Sequence, residues 1–259
     1  MNENPLQLKK SLGQHFLHDH NILKKISEAV GDVSAYKTMI EIGPGQGALT
    51  NYLIEKKHVN LHVIELDDKW AAYHIANDAI KAVHHADFLR FDLTSILEYP
   101  TILVGNFPYN ISTQIIFKVI DHKDTITNVV GMFQKEVAQR IAAKPSTKAY
   151  GVMSILAQAF YDTTYLFDVS PSCFTPPPKV MSGVIAMKLK DKAIDCDEKL
   201  FKKIVKQAFT MRRKTMRNSL KPLIEDKVFL ENKIFDKRPE ELSVKDFEDL
   251  TNQIAALKK

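Results

Sequence analysis

Residues 38–48 read TMIEIGPGQGA. Five mostly apolar residues run into a turn with glycine at 43, 45 and 47. This is the profile of a buried strand passing into a helix through a tight loop, where glycines permit unusual φ values and let a ligand approach the backbone. The pattern recurs downstream. LHVIE (61–65) predicts a second strand, with a helix over 67–80 behind it. Residues 82–86 form a weak third strand, TILVG (101–105) a fourth and NVVGMF (128–133) a fifth. Helices are expected over 48–57 and, ahead of the sheet, over 21–30, where Ile22, Leu23, Ile26 and Val30 share one face. A later strand is expected over 180–189, after the rigid FTPPPK (174–179). Strands alternating with helices imply a parallel sheet covered on both faces. Beyond residue 197 only helical patterns remain, with Leu200, Phe201, Ile204, Val205, Ala208 and Phe209 at helical spacing. The expected organisation is an α/β domain over 1–190, including an N-terminal segment 1–20, and a small helical domain over 191–259.

The chain has 259 residues, 45% of them hydrophobic and 26% charged. That is enough for one large and one small core. No apolar run is long enough to span a membrane, and the start, MNENPLQLKK, has no apolar signal region. Cys173 and Cys196 do not suggest a disulfide framework. A cytoplasmic protein without a membrane partner is expected. The net charge of +5 is a modest excess. Its distribution is more informative: MRRKTMRNSLK (211–221) carries five bases and no acid. Such a stripe attracts a phosphate backbone; it also suits a solvated helix face. Nine histidines include the neighbours His84 and His85, which point to opposite faces of a strand. No Cys/His spacing suits zinc, so no metal is expected.

The glycine turn reads as GxGxG, suiting S-adenosylmethionine, or as GxGxxA, a dinucleotide fingerprint. Two acids bear on it. Glu65 closes the second strand, where a carboxylate can accept ribose hydroxyls. Asp87 follows the third, where it can accept a bond from an adenine amine or cap its own turn. The fourth strand ends in Asn106-Phe107-Pro108-Tyr109. An adenine amine is a poor nucleophile because its lone pair is delocalised. The Asn106 side-chain carbonyl and the Phe107 main-chain carbonyl can each take one of its N–H bonds and aim the lone pair at a sulfonium methyl. Pro108 rigidifies the turn, and Tyr109 offers a stacking face. No general base is needed to form the new bond, because the sulfonium leaves as a neutral thioether. The gain is positioning and stabilisation of charge building on nitrogen.

On the blocks KSLGQHFL (10–17), EIGPGQG (41–47), VIELD (63–67), GNFPYNIST (105–113), QKEVA (134–138), KAYG (148–151), FTPPPKV (174–180) and RRKTMRNSL (212–220), the chain resembles the KsgA/RsmA family of ribosomal RNA adenine N6,N6-dimethyltransferases. The blocks run in order over nearly the whole chain. The resemblance implies a Rossmann-like class I methyltransferase with a seven-stranded, mostly parallel sheet, followed by a small all-helical domain. It implies S-adenosylmethionine as cofactor, with S-adenosylhomocysteine as product, held by His15, Leu17, Gly43, Gly45, Glu65, Leu66, Asp87, Phe88 and Asn106. Asn106, Phe107, Pro108 and Tyr109 would form the catalytic turn. Phe174 would be a second aromatic wall of the base pocket beside Tyr109, or else a core phenylalanine. Lys9, Lys10, Arg212, Arg213, Lys214 and Arg217 would meet RNA phosphates, making 1–20 a cofactor- and RNA-contacting segment and 191–259 a small helical RNA-binding domain.

The implied reaction is methylation of N6 on two adjacent adenosines in the 3′-terminal hairpin loop of 16S ribosomal RNA, within a partly assembled small subunit, by a monomer. Two departures stand out: His15 where many relatives have asparagine, and Phe107 where many have leucine. Competing readings are the Erm group, which methylates one adenine of large-subunit RNA, a non-catalytic RNA-binding factor, and an NAD-dependent oxidoreductase.

Overall fold

The computed structural model describes residues 14–77, 80, 82–211 and 213–257. The elements before the sheet are a short strand β1 (Phe16–Leu17) and helix α1 (His20–Val30), the latter capped by Asp19, whose side chain accepts from the amides of Asn21 and Ile22. Then come β2 (Thr38–Ile42), α2 (Thr50–Leu53), β3 (Asn60–Glu65), α3 (Asp68–Ile75), β4 (Ala82–His85), β5 (Thr101–Asn106), α4 (Ser112–Asp121) and β6 (Ile126–Gln134). They are followed by α5 (Lys135–Ile141), α6 (Val152–Phe160), β7 (Tyr161–Val169), β8 (Phe174–Thr175) and β9 (Ser182–Leu189). Three helices close the chain: α7 (Glu198–Ala208), α8 (Met216–Leu220) and α9 (Val244–Ala256).

Seven strands form one sheet in the order β4-β3-β2-β5-β6-β9-β7. Strands β2 to β6 pair in parallel, and β9 runs antiparallel to β6. This is the seven-stranded, mostly parallel architecture expected. Met39, Ile40, Val63, Leu103, Val104 and Val129 are fully buried, as continuous apolar strands are when helices cover both faces. β2 pairs with β3 on one side and with β5 on the other, so the strand order reverses there and opens a crevice at the carboxyl ends. The helix expected over 48–57 is a single turn, α2, because the turn with Gly43, Gly45 and Gly47 runs on to residue 49.

The described residues divide into two compact units, those within 14–138 with 164–189, and those within 139–163 with 190–257. The sequence boundary near 190 therefore misses one exchange. Residues 139–163, expected in the first domain, cluster with the C-terminal helices. The cause is α6, which is apolar nearly all round: Ile155, Leu156, Ala157, Ala159 and Phe160 are all buried, against α7 and α9. Polar ties fix the segment in its unit. Gln158 Nε2 donates to the carbonyls of Ile141 and Ala143, and Ser146 N–H donates to the Glu240 carbonyl. The second unit's core is Phe201, Ile204, Val205, Leu220, Phe235, Phe247 and Leu250.

Candidate active site

At the carboxyl ends of β2, β3, β4 and β5 lies a cavity of about 300 Å³. His15, Leu17, Gly43, Gly45, Glu65, Leu66, Asp87, Phe88, Asn106, Phe107, Pro108 and Tyr109 all line it. All are named above as cofactor or catalytic residues, and they come from five separate chain segments.

The glycine turn is built as its sequence demands. Gly43, Gly45 and Gly47 have φ of 62°, 52° and 82°. The backbone thus needs glycine at 47, which favours GxGxG over the GxGxxA alternative. At Gly45 a Cβ would lie 2.6 Å from Cε1 of Phe16, so a side chain is barred by packing as well as by conformation. The turn is tied to the next strand through Glu65, which is 5% exposed. Its Oε2 accepts from the Gly45 amide (3.0 Å) and its Oε1 from the Asp67 amide (2.8 Å). Burial pushes the Glu65 carboxyl up, and these amides pull it back towards ionisation. Each oxygen keeps acceptor capacity for a ligand hydroxyl.

Three residues outside the expected set support this wall. Glu41 lines the cavity from the end of β2 and is 1% exposed. Burial pushes its carboxyl up to about 8, and its Oε2 has no hydrogen-bond partner. A buried orphan oxygen on a cavity wall fits a ligand donor. His74, fully buried on α3, holds the Gly45 carbonyl through Nε2 at 2.8 Å. Burial lowers its basicity, so the neutral ring donates from Nε2. Lys118 on α4 donates to the carbonyls of Phe88 and Phe91 (both 2.6 Å) and Leu89 (3.2 Å), fixing the turn that carries Asp87 and Phe88. Of these, only Glu41 had a sequence signal, its place in the EIGPGQG block. Asp87 itself caps its turn, its Oδ1 accepting from the Leu89 amide at 2.9 Å, while still facing the cavity.

On the opposite wall, Asn106 Nδ2 donates to the His15 main-chain carbonyl at 3.0 Å. This fixes the amide and leaves Oδ1 as the acceptor. Phe107 N–H donates to the Met132 carbonyl (3.1 Å), and the Phe107 carbonyl carries no hydrogen bond among the described residues. The Phe107 ring, 1% exposed, packs on Phe133 and lies over Gly105 and Gly131, which are cross-strand partners. The Tyr109 ring stacks on His15 with centroids 5.6 Å apart, and its hydroxyl bonds Ser182 Oγ at 2.5 Å. Phe174 departs from the expected second wall. It is 2% exposed, pairs with Leu17 between β1 and β8, and packs in the core with Leu23 and Ile26. Phe174 is not among the residues that line the cavity, although its neighbours Leu17 and Leu23 are.

The sequence profile of the ribosomal RNA adenine dimethylase family matches residues 6–256. The chain belongs to the ribosomal RNA adenine dimethylase family. Its relatives include ribosomal RNA small subunit methyltransferase A of Cytophaga hutchinsonii, 47% identical over 96% of this chain and 98% of that protein. The Flavobacterium johnsoniae protein of the same name is 49% identical over 97% of each. Among solved structures, a dimethyladenosine transferase from Plasmodium falciparum superposes with a TM-score of 0.79 at 23% identity, over 93% of this chain and 98% of that one. The 23S rRNA methyltransferase ErmE gives 0.68 at 21% identity, over 92% and 100%. These two likenesses establish a shared methyltransferase fold. As a family member, the chain is a methyltransferase acting on ribosomal RNA adenine.

The expected RNA contacts divide. Lys9, Lys10 and Arg212 lie outside the described residues. Arg213 and Lys214 are exposed. Arg217 is engaged within its own unit: its Nη2 pairs with Asp236 Oδ1 at 2.7 Å and its Nε donates to the Leu230 carbonyl at 3.0 Å. Within the basic stretch, residues 213–215 are not helical and α8 begins only at Met216. Among the described residues no group of three or more His, Cys, Asp or Glu is placed to hold a metal, and no helix is long and apolar enough to cross a membrane.

Proposed function

We propose that this chain transfers methyl groups from S-adenosylmethionine to N6 of two adjacent adenosines in the 3′-terminal hairpin loop of 16S ribosomal RNA, on a partly assembled small subunit. The observation that carries the chemistry is the fixed Asn106 amide. Its Nδ2 is committed to the His15 carbonyl, so Oδ1 is held as an acceptor beside the free Phe107 carbonyl. Two acceptors at one strand end suit the two hydrogens of an exocyclic amine.

The bound cofactor supplies an electrophilic methyl on a sulfonium. The residues around it fit such a group: Glu65 for ribose hydroxyls, Asp87 for the adenine amine, the glycine turn for close backbone approach, and the orphan Glu41 oxygen for an ammonium donor. Asn106 and Phe107 orient the target nitrogen, and this positioning with charge stabilisation is the catalytic contribution. Tyr109 offers its ring to the flipped base. Transfer leaves the nitrogen cationic with both hydrogens; once one of these protons passes to solvent it keeps one hydrogen and one lone pair, so the same turn can orient it again. The small-subunit assignment is supported by the names of the relatives at 47–49% identity.

Tritiated methyl transfer to small ribosomal subunits from cells lacking adenine dimethylation tests the reading, beside large subunits and an Asn106→Ala control. The expected product is label in small-subunit dimethyladenosine, lost in the control. Label confined to large-subunit RNA would move the chain to the Erm-type reaction. Absence of any label, with RNA binding retained, would overturn the catalytic reading.

A further inference from the structure

The second unit carries a basic surface that the 211–221 stretch does not include. Helix α7 reads EKLFKKIVKQA. Phe201, Ile204, Val205 and Ala208 are buried, which fixes the helix rotation. The opposite side then presents Lys199, Lys203 and Lys206, all exposed, with the half-buried Lys202 beside them. Together with Gln207 and Thr210 these lysines line an open depression. Positions 199, 203 and 206 follow i, i+4, i+7 spacing, so their ammonium groups form a row spanning about 10 Å along the axis.

Like charges at this spacing repel, and the row has no internal neutralisation. None of Lys199, Lys203 and Lys206 enters a salt bridge among the described residues. The nearby acids stand at the helix start, where Asp197 caps the Leu200 amide at 2.7 Å. A 3-10 turn over residues 209–211 follows α7, and Arg213 and Lys214 are exposed. A self-repelling row is stabilised by an extended anion of matching repeat. Lysine serves there as a point charge, without the planar fork that reads a base or a single carboxylate.

We propose that the Lys199–Lys203–Lys206 face of α7 is a docking surface for the phosphodiester backbone of RNA, engaging about three phosphates without reading sequence. It would hold the backbone of the substrate RNA, and that role rests on the methyltransferase reading above.

The test is the salt dependence of RNA binding by the full chain, with two probes: small ribosomal subunits lacking adenine dimethylation, and an RNA duplex of arbitrary sequence. Two triple variants are compared with the parent, one with Lys199, Lys203 and Lys206 each changed to Gln and one with each changed to Arg. For the Gln variant, the slope of log affinity against log salt should shrink by about 2–3, and affinity near physiological salt should fall at least about tenfold. The Arg variant should keep both, and cofactor affinity should be the same in all three proteins. A Gln variant with the parent's slope and affinity on both probes would overturn the proposal, as would a parent that binds neither RNA. Loss of slope on the duplex, by a parent that methylates no ribosomal RNA, would leave the basic face standing and sink only the methylation reading.

Discussion

Adding one carbon at Gly131 should disable the catalytic turn from beneath. Gly131 on β6 pairs with Gly105 on β5, and the Phe107 ring lies across both. A Cβ at 131 would fall 2.1 Å from ring Cε2, 2.8 Å from Cδ2 and 3.0 Å from Cζ. Carbon atoms rest about 3.5–4.0 Å apart, so the ring would have to retreat by more than 1 Å. It has no room to do so. A Cβ at Gly105 would already stand 2.8 Å from Cε1, and Phe133 packs on the ring with centroids 5.0 Å apart. Strand β6 is held between β5 and β9, so the backbone does not yield either. Gly131→Ala should therefore cost about 3 kcal/mol, the upper end for overpacking. By the usual relation this lowers Tm by roughly 6–12 °C. The Phe107 carbonyl shifts with its ring, and methyl transfer should fall about 100-fold for a displacement near 1 Å. Phe107→Leu alone should cost about 1 kcal/mol. In the double variant the smaller side chain makes room, and transfer should return to within about tenfold of the parent. The pair should then show a coupling energy of roughly 1–3 kcal/mol. Thermal unfolding and single-turnover transfer read both effects. Additive losses in the double variant, or an unchanged Tm for Gly131→Ala, would refute the account of the paired glycines.

Two further outcomes follow from groups beneath the glycine turn. Burial keeps Glu41 protonated in the folded chain up to about 8, whereas an unfolded glutamate titrates near about 4.3. The folded state thus holds the extra proton between those values, and Glu41 contributes stability that is lost as pH rises through that window. The Tm of Glu41→Gln minus that of the parent, measured without ligand, should grow from pH 5 to pH 8.5; a constant difference would count against the buried neutral acid. His74→Leu removes the Nε2 bond to the Gly45 carbonyl, worth about 1 kcal/mol net, so cofactor affinity by titration calorimetry should fall about five- to tenfold. Unaltered affinity would mean that the turn holds its shape without the tether.

The parts legible in the sequence are those whose signal is local. β2 and β5 are buried along nearly their whole length and β3 over its last three residues, so they read as short, mostly apolar runs, and the glycine turn announces itself by composition. β7 was not visible because it ends the strand order at the sheet edge and carries Asp162, Thr163, Thr164 and Asp168, which dilute any alternation. α6 escaped for the opposite reason: a helix apolar on nearly every side has little periodicity to detect. His74 and Lys118 were silent because their role is a bond to a main-chain carbonyl, and a carbonyl has no sequence identity. Phe174 has two readings in the sequence because its burial depends on the register Leu17↔Phe174, which joins segments far apart in the chain.

The same logic bears on His15. By resemblance, asparagine would be usual there, and an imidazole on the cofactor wall looks like a departure with consequences. The structure assigns the essential contact elsewhere. It is the main-chain carbonyl of residue 15 that receives the Asn106 amide, one residue ahead of β1, which pairs with β8. The His15 ring, meanwhile, bonds the Pro176 carbonyl at 2.8 Å through Nδ1 and stacks on Tyr109. An asparagine amide at 15 can also supply a donor to a carbonyl, but it cannot supply the stacking plane. Histidine here therefore retains the polar tie and adds an aromatic buttress behind Tyr109, the ring proposed to receive the base. Tyr109 is then held at both ends, by His15 against its face and by Ser182 at its hydroxyl. In the proposed reaction such a fixed ring is ordered before the base arrives, and a site that relies on position rather than on a general base would gain rate from that ordering.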